Sequence, residues 1–262
     1  MKGGGCPPPF FAARGTPRAA RGDGARKRSG LEPGKAAPRQ IMFIGHFALG
    51  YAAKRWVPGL SLAILFAAAL FADLLWPVLV ALGIEQVRIV PGITASTPLE
   101  FISYPYSHSL LTLSLFGAIL GWLIGNRIPA DRARGAVAPG LVIFLLVVSH
   151  WVLDVITHIP DMPLYPGGPK FGFGMWNSVP ATLVTETVLF AAGVWLYART
   201  TRPLDTTGTW TFAGVTAFLF VGFLVNAQGT PPPSVTALWV MAVSLGALTL
   251  WLSWLADSHR RS

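Results

Sequence analysis

Cysteine and charged residues are scarce in this chain. One cysteine, Cys6, occurs among 262 residues, so an internal disulfide and a cysteine-based metal site are both excluded. Charged residues make up 12% of the chain, against about 25% in soluble domains, and hydrophobic residues make up 53%. There is no internal repeat, Gly-rich phosphate loop, dinucleotide fingerprint or serine elbow. This composition indicates an integral membrane protein.

The net charge of +9 belongs mostly to one segment. Residues 1–41 contain nine basic and two acidic residues, and the rest of the chain has a net charge of only +2. The segment is rich in Gly, Pro, Ala and Arg and lacks the apolar stretch of a signal peptide. We expect it to be disordered, or to be an artefact of start-site choice with the working protein beginning at Met42. Because the remainder is nearly neutral, its charge does not indicate a nucleic-acid partner.

Long apolar runs predict an all-α fold, a polytopic membrane helix bundle. Residues 41–53 are too few to cross about 30 Å of hydrocarbon and predict a short N-terminal helix. About six spans are expected, at roughly 59–83, 109–126, 137–158, 181–198, 210–226 and 235–255. Pro77 is expected to kink the first span. The last two spans contain no ionisable residue, so 42–200 is predicted to hold the functional core and 201–262 to supply two further membrane helices.

The basic residues alternate between successive loops. The positive-inside rule then places both termini in the cytoplasm and loops 84–108, 159–180 and 227–234 outside. The loop 159–180 is apolar and proline-rich, which is typical of a lid. Within it, Trp176 and Asn177 are expected either to line a pocket or to anchor the interface. Glu100 either orients a ligand or remains solvated.

Three polar residues recur every four positions at the end of the third span. His150, Asp154 and His158 therefore project from one face of a helix. Two imidazoles and a carboxylate form a ligand set for a transition metal. The alternative is a polar helix end facing water or hydrogen-bonded to its neighbours.

Three other ionisable residues fall in apolar spans at a similar predicted depth. Asp73, His108 and Glu186 all lie toward the outer face, and buried charges in membranes usually have a function. Each has a structural alternative, as a hydrogen-bonding partner of a neighbouring helix. His46 does not fit this depth. Either its short helix enters the bundle from the other side, or Lys54 and Arg55 mislead about topology.

Several motifs resemble the bacterial membrane-bound metal-dependent hydrolases, a family distantly related to zinc-dependent phospholipase C. The similar segments are Gly45–Tyr51, Asp73–Pro77, Tyr106–Leu110, the His150, Asp154 and His158 run, and Trp176–Pro180. The resemblance covers about residues 42–200. It implies a zinc-type site formed by His46, Asp73, His108, His150 and Asp154, with His158 and Glu186 as further members. It also implies a multi-pass protein of the bacterial inner membrane.

Metal-dependent hydrolysis is the function that these residues favour. One or two divalent ions, zinc before others, would activate water, and Asp73 or Glu186 would take its proton. The expected substrate is a phosphoester or lipid-linked molecule, with membrane lipid as the surrounding partner. His150 and His158 lie about 12 Å apart along a straight helix, so either His158 serves a second metal or orients a ligand, or the helix ends before it. The alternatives are a metal or proton transporter and a purely structural protein.

Overall fold

The computed structural model of the protein describes residues 44–128 and 137–262. Within these ranges, eight helices form the body of the molecule: α1 (Gly45–Ala53), α2 (Leu62–Ala69), α3 (Phe71–Ala81), α4 (Leu110–Gly125), α5 (Pro139–Thr157), α6 (Val179–Thr200), α7 (Thr206–Asn226) and α8 (Val235–Ser258). The predicted all-α membrane bundle is confirmed. The basic segment predicted for residues 1–41 lies outside the described residues.

The helices follow the predicted spans in order. Helices α5 to α8 are each long and apolar enough to cross a membrane, and α2 with α3 forms a fifth candidate span bent by 61°. Helix α4 is apolar but has only 16 residues. The break between α2 and α3 lies at Leu70, whose φ of −101° and ψ of 13° depart from helical values. Pro77 lies inside α3, so the kink expected there stays a prediction beside the bend observed at Leu70.

Local sequence explains where several helices begin. In five of them, the residue before the first turn accepts a hydrogen bond from a backbone N–H three residues later, which satisfies a group that the helix leaves unpaired. These caps are Ser61 in α2, Ser109 in α4, Ser178 in α6, Asp205 in α7 and Ser234 in α8.

Three short antiparallel ribbons close the ends of the bundle. They pair β1 (Gln86–Ile89) with β2 (Leu99–Ser103), β3 (Met162–Pro163) with β4 (Lys170–Phe171), and β5 (Arg202–Pro203) with β6 (Arg260–Arg261). The first two lie in the loops 84–108 and 159–180. The predicted lid loop is thus a small hairpin followed by a 3-10 turn, Met175–Asn177.

Glycines let two helix pairs approach closely. A Cβ atom on Gly121 of α4 would lie 2.4 Å from the Gly140 carbonyl oxygen of α5. A Cβ atom on Gly193 of α6 would lie 2.4 Å from the Ala48 carbonyl oxygen of α1. Small residues at helix crossings are typical of membrane bundles, where van der Waals packing drives association. These contacts fix α4 against α5 and α1 against α6.

A buried ion pair joins α8 to the end of α1. Lys54 Nζ lies 2.7 Å from Asp257 Oδ2, and both side chains are at most 8% exposed. Tyr197 donates to the other carboxylate oxygen over 2.7 Å, and Lys54 also donates to the Leu60 carbonyl. The predicted sixth span stopped at residue 255, but α8 reaches Ser258 and therefore includes a buried carboxylate. The helix is not purely apolar.

The α4–α5 crossing gives a prediction with a built-in control. Gly121→Ala should lower the free energy of unfolding by about 1–3 kcal/mol, because the added Cβ would collide with the backbone of α5. Gly214→Ala in α7 should be neutral or stabilising, since its Cβ would meet no atom within 4 Å and alanine favours a helix by about 1 kcal/mol. Thermal unfolding in detergent compares the two variants, and equal Tm values would contradict the close crossing.

Candidate metal centre

His150 and Asp154 lie one turn apart on α5 and are almost fully buried. His150 Nε2 is 3.2 Å from Asp154 Oδ2. On its other side, His150 Nδ1 is 2.9 Å from the carbonyl oxygen of Ala69, the last residue of α2, where a helix has carbonyl groups without intrahelical partners. The carbonyl can only accept, so His150 Nδ1 carries a proton and donates. A neutral His150 therefore has its Nε2 lone pair directed toward the carboxylate.

Helix α1 brings His46 to the same carboxylate. His46 Nε2 lies 3.1 Å from Asp154 Oδ1, and the His46 side chain is 1% exposed. Its ring stacks on His150, with centroids 3.8 Å apart and planes 7° from parallel. His46 therefore joins the cluster, although Lys54 and Arg55 follow its helix. Lys54 itself is a buried partner of Asp257.

A second group of ligand atoms adjoins the first and shares His150. His108, two residues before α4, places Nε2 3.7 Å from Asp73 Oδ1 of α3 and 3.8 Å from Asp154 Oδ2. His150 Nε2 also lies 3.7 Å from Asp73 Oδ1. In each group, one ligand atom per residue lies within 4.8 Å of the others: His46, His150 and Asp154 in one, Asp73, His108 and His150 in the other.

The site is open on the Asp73 side. The Asp73 side chain is 44% exposed, whereas those of His46, His108, His150 and Asp154 are at most 4% exposed. A molecule approaching the cluster would meet Asp73 first.

Glu85, which the sequence analysis did not single out, fixes His108 through Ser107. Glu85 is 1% exposed and accepts the Ser107 hydroxyl over 2.5 Å and the Ser107 and Tyr106 backbone N–H groups over 2.9 Å each. Ser107 Oγ also lies 2.7 Å from His108 Nδ1. Because the single hydroxyl proton is donated to Glu85, Ser107 Oγ accepts from His108 Nδ1–H. The Nε2 lone pair of a neutral His108 then faces Asp73. Such outer partners are typical of histidines that bind metal.

His158 lies beside the cluster but belongs to neither ligand group. Helix α5 ends at Thr157, so His158 leaves the helical stripe, as one of the sequence alternatives required. Its Nδ1 is 3.0 Å from Asp161 Oδ1, and its ring centroid lies 4.0 Å from that of Trp176. Burial, together with the Asp161 carboxylate, raises the pKa of Tyr104 well above its usual value, so Tyr104 stays protonated and donates to Asp161 over 2.8 Å.

Glu186 also lies outside both ligand groups. Its Oε2 accepts the backbone N–H of Gly45, the first residue of α1, over 2.6 Å. A carboxylate at this position satisfies an unpaired donor and complements the positive end of the helix dipole. Glu186 therefore holds the turn that carries His46, and its predicted role as metal ligand or base stays a prediction.

Two further candidates from the loops lie at the surface. Glu100 pairs with Arg88 across the β1–β2 hairpin at 2.8 Å, which leaves it without a contact to the histidines in the described residues. Asn177 is exposed, whereas Trp176 is buried against His158. Of the two pocket-lining candidates, only Trp176 is close to the cluster.

Together, the fold and this cluster define a polytopic helical membrane protein with a buried histidine–aspartate site. Residues 41–255 match the family model described as YdjM inner membrane protein. The chain belongs to this family and is a multi-pass protein of the bacterial inner membrane. Comparisons with curated proteins and with solved structures gave no match. The family match supports the membrane part of the resemblance noted above, whereas hydrolase activity stays a prediction.

Substitutions at Glu186 can separate a positioning role from a chemical one. Glu186→Ala should lower the Tm, because the Gly45 N–H loses its acceptor in a buried site, at a cost of about 1–3 kcal/mol. Glu186→Gln keeps an acceptor oxygen and should retain most of the stability. Thermal unfolding in detergent tests both variants. Equal loss of stability in the two would show that the negative charge, rather than the hydrogen bond, holds α1.

Proposed function

We propose that this protein is a membrane metal-dependent hydrolase whose ion is held by His46, His108, His150 and Asp154, with Asp73 beside the ion as the base. The main support for this proposal is the environment of His150 Nε2. This buried atom has no hydrogen bond among the described residues, yet two carboxylate oxygens lie 3.2 and 3.7 Å away. Lone pairs on the imidazole and the carboxylates would repel one another unless a cation or a proton lay between them. Imidazole with carboxylate suits a divalent transition metal, zinc before others.

The shared histidine favours a single ion. His150 Nδ1 is committed to the Ala69 carbonyl, so only Nε2 remains for ligation. One Nε2 lone pair binds one ion, and the two ligand groups cannot each hold a separate metal through it. The three histidines and Asp154 therefore surround one centre, and Asp73 lies beside it. His158 and Glu186 support the surroundings without entering the ligand set.

The bound ion would supply a water molecule whose pKa is lowered to about 7. Asp73 is the residue best placed to take the proton, because it combines proximity to the ligand atoms with an exposed edge. Glu85 and Ala69 hold the tautomers of His108 and His150, so the ligand nitrogens need no rearrangement. The substrate class is a phosphoester or lipid-linked molecule. Two features support this choice: the opening lies within a membrane bundle, and the sequence motifs resemble those of membrane-bound metal-dependent hydrolases.

A transporter using the same residues is less well supported. Transport requires ionisable groups that continue along a path. Beyond the far end of α1, the buried ionisable residues Lys54 and Asp257 are in direct contact at 2.7 Å. Asp257 also accepts hydrogen bonds from Tyr197 and from the Leu62 backbone N–H. Such a pair is suited to joining helices. Ion uptake by proteoliposomes that contain the purified protein would overturn the preference for hydrolysis.

Metal content is the first test. Purified protein should contain about one equivalent of a divalent metal, from the ligand count above. His150→Ala and Asp154→Ala should each lose it, as measured by elemental mass spectrometry. His259→Ala is the matched control, since this half-exposed histidine pairs with Asp205 away from the cluster. Metal retained in both cluster variants would refute the site, and absence of metal from the wild type after purification with added zinc would indicate a proton instead.

The substitution Asp73→Asn separates proton transfer from metal binding. The amide keeps an oxygen and the size of the side chain but cannot take a proton, so hydrolysis should fall by roughly 10²–10⁴-fold while most metal is retained. The measurements are the turnover of phosphodiester and phospholipid substrates and the metal content of the same samples. Unchanged turnover in a metal-loaded variant would remove Asp73 from the proton-transfer role.

A further inference from the structure

Four arginines gather at the end of the bundle where α6 and α8 finish. This arginine cluster comprises Arg199, Arg202, Arg260 and Arg261. In the β5–β6 ribbon, Arg202 lies directly opposite Arg261. Like charges facing each other across two strands are destabilising. A nearby anion would therefore stabilise the ribbon.

The carboxylates nearest in sequence are already engaged. Asp205 is 2.8 Å from His259, and Asp257 is 2.7 Å from Lys54. Among residues 44–128 and 137–262, none of the four arginines has a carboxylate within 4 Å. The positive charge of the cluster is therefore not neutralised by a carboxylate among the described residues.

An apolar groove lies between α6 and α7, and Arg260 is the member of the cluster that lines it. It has a volume of about 680 Å³. It is lined mainly by small and aromatic side chains, including Phe190, Val194, Phe212, Ala213, Ala217 and Phe220. The groove exists because these consecutive helices pack in different directions, α6 mainly against α1 and α7 mainly against α8. Its exposed alanines leave it open toward the surrounding lipid.

Arg260 joins the groove to the cluster. Its side chain lines the groove, and its guanidinium lies 4.6 Å from the Phe212 ring centroid. It donates to Thr201 Oγ1 over 2.9 Å and to the Gly208 carbonyl over 3.1 Å, which fixes the cation in place. A molecule in the groove would find a positioned positive charge at one end and apolar surface along the rest.

The groove has the length of a lipid chain in one leaflet. From Thr209 to Phe220, both of which line it, α7 rises about 16 Å. The hydrocarbon core of a bilayer is about 30 Å thick, so one leaflet provides about 15 Å. Basic pockets between membrane helices favour anionic lipid headgroups.

We propose that this groove and the arginine cluster form a binding site for an anionic phospholipid, with an acyl chain between α6 and α7 and the phosphate at the Arg260 end of the groove, near the positive charges of the other arginines. The anion lowers the positive potential of the whole cluster, including that of Arg202 and Arg261 on the other face of the β5–β6 ribbon. The chain fills the space that α6 and α7 leave between them. This site is independent of the metal centre, which lies toward the opposite end of α6, where Glu186 contacts α1.

Lipid retention tests the proposal. Native mass spectrometry of the detergent-purified protein would compare phosphatidylglycerol with phosphatidylethanolamine of the same acyl chains. The wild type should prefer phosphatidylglycerol. Arg202→Gln/Arg261→Gln should weaken that binding roughly 30-fold, as expected from about 1 kcal/mol for each arginine near an anionic lipid. Arg55→Gln/Arg127→Gln, which removes two exposed charges elsewhere, should leave it unchanged.

A second pair of variants tests the groove without altering charge. Ala217→Phe fills the groove and should reduce phosphatidylglycerol binding, whereas Ala247→Phe on the exposed face of α8 should not. Soluble glycerophosphate should bind the wild type far more weakly than the intact lipid. Equal retention of both lipids, glycerophosphate binding as strong as that of the lipid, or equal losses in the arginine variant and its control would each overturn the proposal.

Discussion

The Asp154 carboxylate is the interaction on which the site depends. It is buried in an apolar bundle, where an isolated charge is very costly. Its oxygens lie 3.1, 3.2 and 3.8 Å from nitrogens of His46, His150 and His108. These histidines come from α1, from α5 and from the turn before α4, so one carboxylate constrains three segments distant in sequence. A bound cation would strengthen this constraint because it also compensates the charge.

The backbone around the cluster is positioned by contacts that allow little adjustment. Gly121 and Gly140 let α4 and α5 cross almost backbone to backbone, which holds together the helix that follows His108 and the helix that carries His150. The break at Leu70 presents the Ala69 carbonyl to His150 Nδ1. Packing and hydrogen bonding therefore select the tautomer and the ring orientation before any ligand arrives. Such preorganisation is what a catalytic metal centre requires.

The sequence was sufficient for the helices and for the pair His150 and Asp154, since both follow from local periodicity. It could not place His46, because the charge rule set its short helix away from the depth of the other ligands. Long-range contacts hold that helix, including the pair of Lys54 with Asp257, 203 residues further along the chain. Glu85 was missed because it follows a helix in a loop without a motif, and its role depends on a turn that brings Ser107 to it. Contacts between residues that are distant in the chain produce no periodic pattern in the sequence.

The C-terminal helices consequently do more than anchor the protein. Helix α1 has only nine residues, too few to be stable alone, yet it must present His46 accurately. Glu186 of α6 holds its first residue, and Asp257 of α8 holds Lys54 directly after its last. Asp257 is itself fixed by Tyr197 of α6. The position of one imidazole in the centre therefore depends on a carboxylate near the end of the chain, so residues 201–262 contribute to the geometry of the site that 42–200 supplies.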